Sequence, residues 1–138
     1  MVDEIRVQRL MRSATDALAL LDAERSASAE RRQDPVWLPG VKYLLIAAIE
    51  SCIDIAQHIC SAERWSTPSD NGAAMRLLGE RGVLTTPTAE ALRRAVGFRN
   101  VLVHEYVEVD DQIVVARLAD LSDIHAFVSE IARWLTGR

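Results

Sequence analysis

Tyr43-Leu44-Leu45-Ile46-Ala47-Ala48-Ile49-Glu50-Ser51-Cys52-Ile53-Asp54-Ile55-Ala56-Gln57-His58-Ile59-Cys60 holds no proline or glycine and is apolar on nearly every side of a helix. A helix that is hydrophobic all round must be covered from several directions. Read as a helix over Val41 to Glu63, the stretch predicts the central element of a helical bundle. It does not read as a membrane span, because the unbroken apolar run, Tyr43 to Ile49, stops at Glu50 and polarity returns at Asp54.

Working outward, the upstream segment Val2 to Ala27 carries Ile5, Leu10, Met11, Ala14, Leu18 and Leu21 near helical spacing, which predicts a second helix. Between the two lies a polar, arginine-rich stretch, Ser26 to Asp34, with Pro35 and Pro39-Gly40 marking a break. Downstream, Pro68-Ser69-Asp70-Asn71-Gly72 reads as a loop in which Ser69 or Asp70 can cap the next helix. Ala73 to Glu80 is that short helix, stopped at Gly82 by a left-handed terminal glycine. Thr86-Pro87-Thr88 opens another, capped by Thr86 or Thr88 and running through Tyr106. Gln112 to Trp134 resumes the helical pattern with a kink at Leu118 to Ser122, where Ser122 and Asp123 can restart a helix. Ile113-Val114-Val115 could form a short strand, but no partner strand is in view. These elements predict an all-α domain over residues 1–138.

Hydrophobic residues make up 49% and charged residues 26%, a globular balance. The acidic start, Met1-Val2-Asp3-Glu4, has no apolar signal core, so a cytoplasmic location away from membranes is expected. A net charge of −4 argues against a general nucleic-acid binder. Any contact with RNA must then be local and made by arginine, since Lys42 is the only lysine. Cys52 and Cys60, eight residues apart on one helix, stand about 12 Å apart, too far for a disulfide. With no Cys-x-x-Cys or Cys/His pairing, they read as small core residues and not zinc ligands.

The chemistry gathers in Arg99-Asn100-Val101-Leu102-Val103-His104-Glu105-Tyr106. An arginine grips a phosphate through planar paired hydrogen bonds and keeps its charge. A histidine can give and take a proton near neutral pH. Breaking a phosphodiester needs both. On an ideal helix Arg99 and Tyr106 fall within roughly 20° of one another, with Val103 between them, while His104 projects about 140° from Arg99 and shares its face with Asn100. A straight helix does not join Arg99 to His104. A distorted helix end, a wrapping arginine or a second subunit would have to complete the site, and the second subunit is the favoured expectation.

Arg99, four residues, His104, one residue, Tyr106 resembles the Arg-x4-His-x-Tyr signature of the HepT-like toxins of the HEPN superfamily. Val96-Gly97-Phe98-Arg99-Asn100, Ala48 to Ile59 and the Leu78-Gly79-Glu80-Arg81-Gly82-Val83-Leu84 turn resemble the same family, from about residue 40 onward. The resemblance implies a single HEPN-like, four- to five-helix up-and-down bundle that dimerises through the motif helix. It implies a metal-independent endoribonuclease without a cofactor, the toxin of a type VII-like pair. The partner implied is an MNT-type nucleotidyltransferase antitoxin that can place AMP on the motif tyrosine. On that basis Arg99 holds the scissile phosphate, His104 is general base or acid, Asn100 bonds phosphate or orients His104, and Tyr106 is the modification site.

Glu50, Asp54 and His58 share one face at four-residue spacing. A metal-dependent hydrolase built on them is one reading, bonding to a neighbouring helix another, and a supporting contact from Asp54 to Arg99 or His104 the preferred functional one. His125 shows no partner and is expected at the surface. Trp37, Trp65 and Trp134 are dispersed without a basic strip, and read as caps on core ends and not stacking platforms. A non-catalytic helical partner of a nucleotidyltransferase, with Arg99 and His104 binding a nucleotide or fixing an interface, is the alternative function.

Overall fold

The computed structural model describes residues 1–138 and contains only helices: α1 (Glu4–Glu24), α2 (Ala29–Arg32), α3 (Trp37–Ala62), α4 (Asn71–Glu80), α5 (Thr86–His104), α6 (Asp111–Ala119) and α7 (Ser122–Thr136). The four long ones, α1, α3, α5 and α7, make the bundle together with α4, which buries Ala74, Met75 and Leu78 against α3 and α5; α2 and α6 are short connectors, so four to five helices form the bundle as expected.

α3 is the central element. Leu45, Ala48, Ile49, Cys52, Ile55, Ala56 and Ile59 are each 0% exposed and form one broad inward face, while Tyr43 and Asp54 on the opposite side are exposed. Its most apolar window passes the length and composition test for a membrane span, yet 56% of that window lies buried under the other helices. Burial also pushes the Cys52 and Cys60 thiols up, which keeps both free cysteines inert.

α1 runs antiparallel to α3. The Ser51 hydroxyl donates to Ser13 Oγ at 3.1 Å near the middle, and the Asp3 amide donates to His58 Nε2 at 3.0 Å at one end. At the other end Trp37 Nε1 donates to Glu24 Oε1 at 2.9 Å. The helix is shorter than Val2–Ala27 because the Asp3 carboxylate caps it, accepting from the Arg6 amide at 3.0 Å. Ile5, counted among its apolar positions, is 66% exposed, and Val7 takes the inward place. The stretch expected to be loop contains the one-turn α2, capped by Ser28.

α4 begins under Asp70, one of the two expected caps, and ends before Gly82, whose φ of +78° only glycine adopts freely. α4 and α5 meet closely at Gly79, where an added Cβ would stand 2.8 Å from the Ala89 Cβ. Gly79→Ala is therefore expected to lower stability by about 1–3 kcal/mol through overpacking, read as a fall in the chemical-denaturation midpoint. α5 is capped by Thr85, not by Thr86 or Thr88, with its side chain accepting from the Thr88 amide. One residue of difference arises because Pro87 occupies the first turn, where its missing N–H costs nothing.

Two expectations about the last third are corrected. α5 does not run through Tyr106. It stops at His104, and the Glu108 and Val109 amides both turn back to the Glu105 carbonyl at 3.0 Å. The Tyr106 carbonyl, which a continuing helix would have given to residue 110, accepts from Lys42 Nζ instead. The downstream segment is two helices, not one kinked helix, because Asp120 is extended and its carboxylate accepts from both the amide and the hydroxyl of Ser122. Ile113, Val114 and Val115 lie inside α6, and no strand forms.

His125 does have a partner: its Nε2 lies 2.9 Å from Asp22 Oδ2, tying α7 to α1 at the surface. Each tryptophan carries an arginine over its ring, Arg32 on Trp37, Arg81 on Trp65 and Arg138 on Trp134, at 4.5 to 5.4 Å. These guanidiniums come from residues near in space, and a search for a basic strip misses them. They cover the ring faces, which fits the tryptophans' place at core edges.

Candidate active site at the end of α5

α5 lies antiparallel to α3, so that Arg99 stands beside Glu50 and the turn after His104 stands beside Lys42. Ala95, Val96 and Leu102 point into the core and fix the helix's rotation. With that rotation set, Arg99 emerges at the edge of the buried face and Asn100 and His104 face solvent.

The Arg99 side chain is 21% exposed. Its Nη2 and Nε donate to Glu50 Oε1 at 2.7 and 3.3 Å, and Nη1 donates to Asn100 Oδ1 at 2.9 Å. The guanidinium is thus held from two sides, its direction set by a carboxylate on the central helix. A bond of this kind fixes geometry more than it adds stability, since the pair is part-exposed. His104 is the last residue of α5 and faces solvent. It is not joined to Arg99 within the chain: all of Arg99's side-chain bonds go to Glu50 and Asn100.

Asn100 therefore spends its carbonyl on Arg99, and the amide nitrogen is left to reach outward. Asp54, expected to support the site, lies one turn beyond Glu50 on α3; the hydrogen bonds to Arg99 come from Glu50, and Asp54 acts at longer range. Burial pushes the Asp54 carboxyl above its ordinary value and the Glu50 charge pushes it further, while Arg6 and Arg99 pull it down. An acid whose folded pKa is raised weakens the fold as pH climbs through its unfolded value of 3.8 and on to the folded one. Asp54→Asn is accordingly expected to melt higher than the wild type at pH 7, with the difference closing below pH 3.8. Equal melting temperatures at pH 7 would show that this carboxylate is not strained.

Glu50, Asp54 and His58 do not converge. Glu50 binds Arg99, His58 accepts the Asp3 amide, and no group of three His, Cys, Asp or Glu side chains is placed to share an ion. Tyr106 sits in the turn, 39% exposed, its ring lying under the Lys42 ammonium at 4.5 Å. Around the motif, Tyr43, Val101, Val103 and Val107 are also exposed. Neither Glu50 as Arg99's holder nor Lys42 as Tyr106's neighbour is legible in the sequence. The signals that could have found them are the four-residue stripe containing Glu50 and the singularity of Lys42.

A fixed guanidinium, a solvent-facing imidazole and an amide thus share one helix end, a set of groups with the chemistry to handle a phosphate. A family model described as "Ribonuclease HepT-like" matches residues 11–131, a span that also takes in most of α1. This chain belongs to the HepT-like ribonuclease family. It is 35% identical to the mRNA nuclease HepT of Shewanella oneidensis over 101 residues, 72% of this chain and 76% of that one. It is 32% identical to the tRNA nuclease HepT of Aphanizomenon flos-aquae over 67% of this chain and 63% of that one. Among solved structures, the tri-AMPylated Shewanella oneidensis HEPN toxin in complex with MNT antitoxin superimposes with a TM-score of 0.85 at 25% identity, covering 96% of this chain and 99% of that one. YutE from Bacillus subtilis shares the fold with a TM-score of 0.86 at 20% identity, covering 99% and 92%.

Proposed function

We propose that the chain is the toxin of a toxin–antitoxin pair, a metal-independent endoribonuclease acting in the cytoplasm and neutralised by an MNT-type nucleotidyltransferase that adenylylates Tyr106. The observation that carries the reading is the Arg99 guanidinium, anchored by Glu50 and Asn100 at the surface edge of α5, five residues before a solvent-facing His104. The names of its relatives as mRNA and tRNA nucleases support the substrate class.

Arg99 binds the non-bridging oxygens of the scissile phosphate and stabilises the charge that builds there. His104 takes the proton of the ribose 2′-hydroxyl as it attacks phosphorus; the bond to the 5′-oxygen breaks, and that oxygen must be protonated as it leaves. One imidazole cannot serve both sides of an in-line displacement at once. A homodimer that faces two α5 ends across a cleft supplies the second, and the outward direction of Asn100 and His104 suits that arrangement. The exposed Val101, Val103 and Val107 give such an interface apolar area. AMP on Tyr106 adds bulk and negative charge beside Arg99, where the substrate phosphate would sit.

Cleavage of RNA by the purified chain in excess chelator, lost in Arg99→Ala and His104→Ala while both remain dimeric, tests the reading. Unchanged cleavage in both variants removes it. The pairing of Arg99 with Glu50 favours one other reading, a non-catalytic helical partner of the nucleotidyltransferase in which the motif only fixes an interface. That reading expects no cleavage, and loss of the complex on mutating the same residues.

A further inference from the structure

Lys42 stands apart from the other basic residues. It is the single lysine beside fifteen arginines, it is 7% exposed, and it projects from the central helix. A buried ammonium is costly unless its N–H groups and charge are answered. Here every answer comes from the segment after α5. Nζ donates to the Tyr106 carbonyl at 3.4 Å, lies 3.4 Å from Asp111 Oδ1, and sits 4.5 Å from the centre of the Tyr106 ring. Within the segment itself, only the turn from Glu105 to Val109 and the Asp110 cap of α6 hold the backbone, and Val107 is 91% exposed. Lys42 therefore makes the polar tie between the Tyr106 turn and α3, while Val109 of the same turn packs on the core.

We propose that Lys42 is the positioning residue for Tyr106: it fixes the part-exposed ring beside the end of α5, and so makes this tyrosine the one that receives a nucleotidyl group. The inference rests on the reading of Tyr106 as a modification site. In that step the Tyr106 oxygen attacks the α-phosphorus of ATP held by the nucleotidyltransferase. The new O–P bond forms as the bond to pyrophosphate breaks; pyrophosphate leaves with the electron pair and the phenolic proton passes to solvent. The product carries a phosphodiester charge on the ring that the ammonium already covers, an attraction shielded from solvent on the α3 side.

The test uses the full chain with its nucleotidyltransferase, ATP and magnesium, tracking AMP on Tyr106 by peptide mass and amide exchange over residues 105–110. Lys42→Met is expected to slow AMP incorporation at least tenfold and to raise exchange in that segment. Lys42→Arg, which keeps charge and ring contact, should restore most of both. Asp111→Asn, which removes the ion pair alone, should slow incorporation by less than threefold. Wild-type incorporation and exchange in Lys42→Met overturn the inference, as does a well-folded Lys42→Arg no better than Lys42→Met. Should Lys42→Met fail to fold, the Lys42→Arg and Asp111→Asn pair decides by the same rates. If the wild type itself takes no AMP, the modification reading fails, and with it the presenting role of Lys42.

Discussion

Arg99→Ala is expected to lower RNA cleavage by on the order of 10²–10³-fold, the loss that comes with removing one preorganised donor to a developing oxyanion. His104→Ala should cost on the order of 10²–10⁴-fold, the usual worth of a positioned proton-transfer group. Neither should destabilise the fold much. Arg99 gives up a part-exposed ion pair to Glu50, and His104 is exposed. Single-turnover cleavage of a labelled RNA in chelator, alongside melting curves and sedimentation of each variant, reads both quantities. Glu50→Gln separates holding from reacting: it keeps a hydrogen-bond acceptor for Arg99 but removes the charge, so a loss smaller than that of Arg99→Ala identifies Glu50 as the residue that aims the guanidinium. Full activity in Arg99→Ala with a stable dimer would leave Arg99 a structural residue only.

The largest effect on stability is expected at Phe127, the biggest side chain that is fully buried. It lies on the inward stripe of α7 with Ile124 and Ile131, all three 0% exposed. Phe127→Ala removes the ring's transfer free energy and leaves a cavity, about 3–5 kcal/mol together. For a chain of this size that lowers the melting temperature by roughly 10–20 °C. Ile113→Ala, at a 54% exposed position, should change stability by less than about 0.5 kcal/mol and serves as the control. A small effect at Phe127 would mean that α7 is not part of the cooperative core.

α3 was readable because its burial is written in its composition: a stretch apolar all round has only one comfortable place in a bundle. Gly82 and Asp70 were readable because a left-handed terminus and a side-chain cap are local devices. The end of α5 was not. Nothing within Val103 to Val107 forbids another turn of helix, and the Tyr106 carbonyl beyond the stop is met by Lys42, more than sixty residues upstream. The break between α6 and α7 reads from the sequence as a kink, since Ser122 and Asp123 can restart a helix, while the Asp120 carboxylate that accepts from Ser122 makes it a full break between two helices.

The candidate site divides in the same way. The residue types and spacing of Arg99, Asn100, His104 and Tyr106 stated the chemistry, and helical angles alone already set Arg99 apart from His104. The holder of Arg99 could not be chosen from the sequence, because Glu50 and Asp54 sit one turn apart on the same face and only the offset between α3 and α5 brings one of them into range. By itself the sequence determined an all-α domain, its central helix and the candidate motif from Arg99 to Tyr106, since periodicity, capping and side-chain chemistry act over a few residues. The tertiary structure decided where α5 ends, which carboxylate aims the arginine and which ammonium seats the tyrosine, since those contacts join residues about fifty to sixty positions apart that meet only when antiparallel helices settle into register.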